Sequence, residues 1–298
     1  MVWRHTWHYR KTDWLWGLLV IVFVLGYSNM AAAFVGVRAF GMGGAYTAVA
    51  DDGAAVFWNP AGLMQINESS INATLALPVD EADSYETCIS YLERDGGYGA
   101  GALTWYYGRL NPVASPEAIL YDEIHDFSYA LAKAAGERVF LGGSIHYSRK
   151  RGATAKAYIS EWTGDVAGMV KISDAWRAGI TVLDAYRLIG DGGTTSQSPN
   201  ARGTITAGFA FRPNDQITLA LDGYDLPNRL HARSLRLGGE YRLPAGFALR
   251  GGLQRGIDND WEAWTWGAGM DIDSWRMEYA YLGGDYHGIH AMGVAWRF

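Results

Sequence analysis

Charged residues set at two-residue spacing inside apolar runs are the groups in this chain most able to do chemistry. In 234–242, Arg236, Glu240 and Arg242 alternate with Leu235, Leu237 and Tyr241. In 247–254, Arg250 and Gln254 alternate with Phe247, Leu249 and Leu253, and in 275–281, Arg276 and Glu278 alternate with Trp275, Met277, Tyr279 and Tyr281. Such groups can pair across neighbouring strands or guide a polar solute. Catalysis asks for more. His146, His231, His287 and His290 are scattered, and Asp285 with His287 and His290 lacks a third metal ligand. No Gly-x-Ser-x-Gly elbow occurs. Cys88 is the single cysteine, which excludes an intramolecular disulfide and a Cys-x-x-Cys zinc site. Gly41-Met42-Gly43-Gly44 lacks the preceding strand of a dinucleotide fingerprint and has Tyr46 where its third glycine belongs. The reading is no enzyme, no cofactor and no metal.

Period two is the mark of a strand, whose side chains point alternately to opposite faces. From Ser70 onward the chain reads as strands with little room for helix: 70–77, 85–92, 98–107, 124–134, 139–149, 161–171, 176–184, 203–212, 216–224, 234–242, 247–254, 262–271, 275–281 and 288–298. Fourteen is an even number, as single-chain bacterial barrels generally have. Tight links (93–97, 135–138, 172–175, 213–215, 243–246 and 272–274) alternate with mostly longer ones (108–123, 150–160, 185–202 and 225–233), although 257–261 and 283–287 are short. Short turns at one end and longer loops at the other are the habit of outer-membrane barrels.

Charge decides which face meets lipid. An arginine such as Arg250 turned toward the membrane midplane costs about 2–4 kcal/mol, so the leucine, phenylalanine and tryptophan sets face lipid. Glu240, Arg250, Arg276 and Glu278 then face the lumen. Across the tight 243–246 turn, same-face pairing sets Glu240 opposite Arg250, a cross-strand ion pair worth about 0.2–1 kcal/mol. Trp264, Trp266 and Trp275 suit the interfacial belts, where an indole meets both water and hydrocarbon. In the last segment Met292, Val294, Trp296 and Phe298 share the apolar face. The composition agrees: 38 Gly, 13 Trp and 18 Tyr, with a formal charge of −6. An acidic chain without basic clusters argues against a nucleic-acid partner.

The first residues read as an export signal. Arg4, Arg10 and Lys11 precede an uncharged apolar run, Trp14 to Tyr27, and Ala31-Ala32-Ala33 offers a cleavage site. The alternative is an uncleaved anchor, for which the run is short. Three regions follow: 1–33 as signal, 34–68 as a non-alternating segment, and 69–298 as barrel. The segment is dense in Gly and Ala, with helical turns expected around 45–50 and 54–58, the second begun by Asp51 or Asp52. Asn59-Pro60 should end it. Its apolar side chains are Phe40, Met42, Tyr46, Phe57, Trp58 and Leu63.

Arg38-Ala39, Gly41-Met42-Gly43-Gly44-Ala45, Ala50-Asp51-Asp52 and Trp58-Asn59-Pro60-Ala61-Gly62-Leu63 form a gap-free run that resembles the start of the FadL-type outer-membrane transporter superfamily, which includes the PorV/PorQ-like barrel proteins. The resemblance implies an all-β, fourteen-stranded antiparallel transmembrane barrel with an N-terminal hatch in its lumen. It implies passive uptake of small hydrophobic compounds, leaving sideways through a gap beside an inward-kinked strand, and a hatch role for Asn59, Pro60 and Ala61. Phe298, an aromatic at the chain end, implies the barrel-assembly machinery as a partner, together with outer-membrane lipid. The chain is shorter than the fatty-acid transporters, chiefly in its loops. Gly108–Glu123, with Leu110, Val113, Ile119 and Leu120, is the candidate residual capture loop. That compactness is closer to PorV/PorQ-like proteins, some of which handle secreted proteins, and this stands as the alternative function.

Overall fold

Alternation builds the molecule. The computed structural model describes residues 35–79, 81, 83–110, 121–152, 158–191, 194–197, 203–227, 233–258, 260–285 and 288–298. The expected signal (1–33), most of the candidate capture loop, and His231 and His287 lie outside the described residues. The strands are β1 (Ser70–Pro78), β2 (Tyr85–Glu93), β3 (Ala100–Arg109), β4 (Tyr121–Ala134), β5 (Val139–Gly152), β6 (Tyr158–Lys171), β7 (Trp176–Asp191), β8 (Thr194–Gln197), β9 (Thr204–Phe211), β10 (Ile217–Tyr224), β11 (Ser234–Arg242), β12 (Phe247–Gly256), β13 (Glu262–Ile272), β14 (Trp275–Gly284) and β15 (Ile289–Arg297). Pairing is antiparallel throughout; β7 passes to β9, and β15 returns to β1. The result is a closed ring of fourteen strands. The short β8 hangs off the far end of β7, outside the ring.

The faces follow the sequence pattern. Leu237, Leu249 and Leu253 are 52%, 53% and 58% exposed on the outside, whereas Glu240 and Arg250 on the same strands are 3% and 7% exposed. Met292, Val294, Trp296 and Phe298 also point outward, as do Trp264, Trp266 and Trp275. Among the described residues no helix is long and apolar enough to cross a membrane.

Three expectations need correction. Tyr98 lies ahead of its strand and is 93% exposed. Asp95 Oδ1 accepts the amides of Gly97 and Gly99 at 2.7 and 2.8 Å, and both glycines have positive φ, so the chain is still turning there. Second, β7 does not stop at Asp184. Past Leu183 it leaves β9, Asp184 takes a left-handed φ of 52°, the register against β6 shifts between Gly164 and Val166, and the strand continues to Asp191 with β8 as its other partner. Sequence alternation fades at such a bulge because two residues oppose one. Third, 45–50 is an isolated turn (Ala50 N–H to Tyr46 O, 2.9 Å) rather than helix. The helix lies earlier, at Val37–Gly41.

After that turn come a one-turn helix, Ala55–Trp58, and a 3₁₀ helix, Pro60–Gln65. Asp52 Oδ1 accepts the Ala54 amide at 3.0 Å just ahead of the first. Asn59 is extended, as a residue before proline prefers, and its Oδ1 caps the second through the Ala61 amide at 3.0 Å. Val37–Gly41 touches β12 to β15, and Pro60–Gln65 touches β3 to β6. Residues 35–65 therefore bridge opposite walls of the ring, on its inner face.

Candidate functional site

Arg38 is the centre of the interior. It is the only charged residue between 34 and 50, it is 1% exposed, and its guanidinium is fully shared. Nε and Nη2 donate to the two oxygens of Glu240 at 2.7 and 2.9 Å. Nη1 donates to the Tyr46 hydroxyl at 2.9 Å and to Asp51 Oδ1. A planar fork meeting a carboxylate with two parallel bonds is the strong form of this contact. Glu240 Oε2 also receives Arg250 Nε at 2.8 Å, and Oε1 receives Arg242 Nε at 3.0 Å. The register sets Glu240 directly opposite Arg250, as the parity of the two strands dictates. Arg250 Nη2 then lies 2.9 Å from Glu278 Oε1. Arg276 turns instead to Asp271, with contacts of 2.7 and 3.0 Å. Of the four lumen residues read from sequence, Glu240, Arg250 and Glu278 thus join one network and Arg276 sits beside it.

The two aspartates of Ala50-Asp51-Asp52 have opposite fates. Burial pushes the Asp51 carboxyl up, but Arg38 and Arg212 (Nη2 to Oδ2, 2.9 Å) outweigh it and hold its pKa below the usual carboxylate range. Asp52 accepts the Tyr46 hydroxyl at 2.6 Å. There burial, aided by the Asp51 charge, prevails over Arg38, and the pKa rises. Burial likewise raises the Tyr46 phenol.

The rest of the segment is held through its backbone. Asp222 Oδ2 on β10 accepts the amides of Tyr46 and Thr47, both at 2.8 Å. Thr265 Oγ1 donates to Gly41 O and Thr181 Oγ1 to Trp58 O, each at 3.0 Å. Asn59 Nδ2 donates to Thr47 O at 2.7 Å. The walls make room with glycine: a Cβ on Gly252 would stand 2.3 Å from Gly43 N, and one on Gly142, on the other side, 2.4 Å from Ala61 N.

Phe40, Met42, Tyr46, Asn59, Pro60 and Leu63 are buried, as is Trp58. Trp58 donates Nε1–H to Val35 O at 2.8 Å and packs edge-on to Tyr46. Phe57 is half-buried and leans on the His146 ring at 5.7 Å. His146 itself is bracketed by Asp126 and Asp165, with Ser128 and Ser144 on its two nitrogens. Met42, Tyr46, Trp58 and Leu63 belong to one apolar cluster and Phe40 to another. Beside the segment, next to β1, β2 and β14, lies a cavity of about 200 Å³ with a polar lining that includes Asp52, Asn72, Ser90, Arg276 and Glu278. Among the described residues no three His, Cys, Asp or Glu side chains form a group able to hold a metal.

Solved structures share this architecture. The Pseudomonas putida toluene transporter TodX superimposes with a TM-score of 0.65 at 12% identity, covering 89% of this chain and 98% of its own. The Ralstonia pickettii toluene transporter TbuX gives 0.63 at 13%, covering 90% and 100%. A Pseudomonas aeruginosa FadL homologue gives 0.60 at 11%, covering 89% and 98%. The chain shares the barrel fold of these FadL-type structures. No family model and no curated protein matches the sequence, so the likeness is one of fold. In the resemblance, an inward-kinked strand opens a gap in the wall. Here β1 to β4 pair without a register shift, and shifts in register fall at β4–β5, between Tyr121 and Glu123, and at β6–β7, between Gly164 and Val166.

The sequence reading missed Arg38 as the hub and Asp222 as the anchor of two amides. A lone cation in an apolar stretch bound for an interior was the available signal for the first, since a buried charge needs a partner. Asp222 carried none: one carboxylate on an alternating strand looks like any lumen residue.

Proposed function

We propose that this protein is an outer-membrane barrel for passive uptake of small hydrophobic compounds, fatty-acid-like or aromatic, and that residues 34–68 act as its hatch. The toluene transport named for TodX and TbuX supports the compound class. The observation that carries the hatch role is the span of Val35–Gln65 across the interior, from β12–β15 to β3–β6, with most of its side chains buried. The apolar groups Phe40, Met42, Tyr46, Phe57, Trp58 and Leu63 offer a solute favourable burial, about 25 cal/mol per Å². Asn59 and Pro60 fix the turn between the two short helices. Residues 1–33 act as the export signal, and Phe298 serves assembly. No group reads as catalytic, and the reaction is transfer alone.

A crosslink tests the hatch. A Cβ on Gly41 would stand 3.4 Å from Gly267 Cα and one on Gly267 3.3 Å from Gly41 Cα, so cysteines at the two positions would be immediate neighbours across the contact between segment and wall. In a Cys88→Ser background, Gly41→Cys with Gly267→Cys should block uptake of radiolabelled toluene or decanoate into proteoliposomes when oxidised and restore it when reduced. Equal flux in both states would refute the hatch. No flux above protein-free liposomes in the unaltered barrel would refute uptake itself.

A further inference from the structure

Among the described residues, most interior arginines of this barrel are seen to contact a carboxylate. Arg38, Arg250, Arg276, Arg151 and Arg187 each contact an Asp or Glu within 4 Å. Arg177 contacts none among the described residues: its Nε and Nη1 are buried and have no hydrogen-bond partner there. It sits at the turn end of β7, on the inner face, opposite Ala210 of β9 and opposite Lys171 of β6. Arg212, two residues beyond Ala210, falls on the same face, diagonal to Arg177 at roughly 7–8 Å. Its own Nε is likewise buried and unpaired, although Nη2 reaches Asp51. Lys171 leans on the Phe140 ring at 5.0 Å. Three cations thus occupy neighbouring inner positions, at the end of β6, at the start of β7 and just past β9.

Like charges placed directly across a strand pair destabilise a sheet, and buried N–H groups left unmade cost about 1–3 kcal/mol each, more when charged. The nearest carboxylates do not relieve this. Asp51 is engaged by Arg38 and Arg212, and Asp174, in the 172–175 turn, makes no hydrogen bond to Arg177. What the arrangement lacks is an acceptor with several oxygens and a negative charge.

We infer that Arg177, Arg212 and Lys171 form an oxyanion site at the turn-end mouth of the barrel, taking a phosphate or a carboxylate. Guanidinium forks suit either group through paired N–H donors. The anion is free phosphate or the carboxylate of an organic acid, and the shared chemistry is the pair of acceptor oxygens. The inference is separate from hydrophobic uptake and is read at equilibrium, without flux.

Calorimetric titration of the full barrel in nanodiscs with sodium phosphate, and separately with sodium benzoate, tests it. Saturable binding of either anion is the expected result, and which one binds identifies the source. Arg177→Gln should raise the Kd at least tenfold and Lys171→Gln severalfold. Arg255→Gln, at the opposite end in an exposed pair with Glu262, should leave it unchanged. Heat-dependent gel mobility confirms that each variant is folded. Should Arg177→Gln fail to fold, the unaltered barrel must still show a Tm that rises with the bound anion. Absence of saturable binding by both anions at millimolar concentration, or affinity unaltered in Arg177→Gln, overturns the site.

Discussion

Replacing Arg38 by Met removes the segment's own cation, which joins it to Glu240 on the wall. The side chain is almost wholly enclosed, and loss of one member of a buried ion pair costs about 3–5 kcal/mol because the partner is stranded. Here the partners are not fully stranded. Glu240 keeps Arg250 and Arg242, and Asp51 keeps Arg212. The lower end, about 3 kcal/mol, is therefore appropriate. At 1.4 kcal/mol per decade the opening equilibrium of residues 37–58 should rise by roughly a hundredfold. Hydrogen–deuterium exchange with mass spectrometry reads this directly. Peptides covering 37–58 should exchange about a hundred times faster in Arg38→Met, while β11 and β12 peptides hold their protection, since their ladder bonds are untouched. Arg38→Lys should fall between, keeping the charge but losing the fork. A change under threefold in 37–58, or an equal loss of protection in β11 and β12, would refute the view that this contact seats the segment independently of the ring.

Four further results are expected. Lowering the pH should loosen 37–58: Asp51 is depressed in the docked state, so its contribution is complete above the ordinary carboxylate value of about 4 and is lost as pH falls below it; exchange that stays constant down to pH 3 would contradict this. Asp51→Asn should loosen the segment at pH 7, whereas Asp52→Asn should not, because the raised Asp52 pKa means that docking already favours its neutral form; exchange at one pH separates them. Gly252→Val should displace residues 41–44 through the 2.3 Å clash with Gly43 N while β-sheet dichroism is retained. Leu237→Arg, outward in the middle of β11, should destabilise the folded barrel by about 2–4 kcal/mol in a denaturant titration, provided the position lies near the bilayer midplane.

The ring was readable because lipid outside and water inside impose a strict period on every strand. Leu235, Leu237, Leu249 and Leu253 against Arg236, Glu240 and Arg250 settle face and register together, which is why the Glu240–Arg250 pairing could be placed from parity. The 35–65 segment obeys no such rule. Its conformation depends on Asp222 capturing two amides and on Gly142 and Gly252 giving up a side chain, contacts made across more than 75 residues of chain. Local pattern therefore placed a helix at 45–50, where positive φ at Gly43 and Gly44 sends the chain elsewhere. The unmatched Arg177 was equally hidden, because an arginine on a wet face draws no notice until its neighbours are known.

The wall partner of Arg38, Glu240, lies 202 residues downstream, and beyond it lie the strands that supply Arg250 and Glu278. A newly made chain supplies these groups only near its end. Until then the leading residues have Asp51 and Tyr46 for Arg38 but no seat on the wall. Seating the first thirty-odd residues of the described chain therefore reports that the last strands have arrived. A polypeptide cut short before β11 would display a loose, protease-sensitive front end.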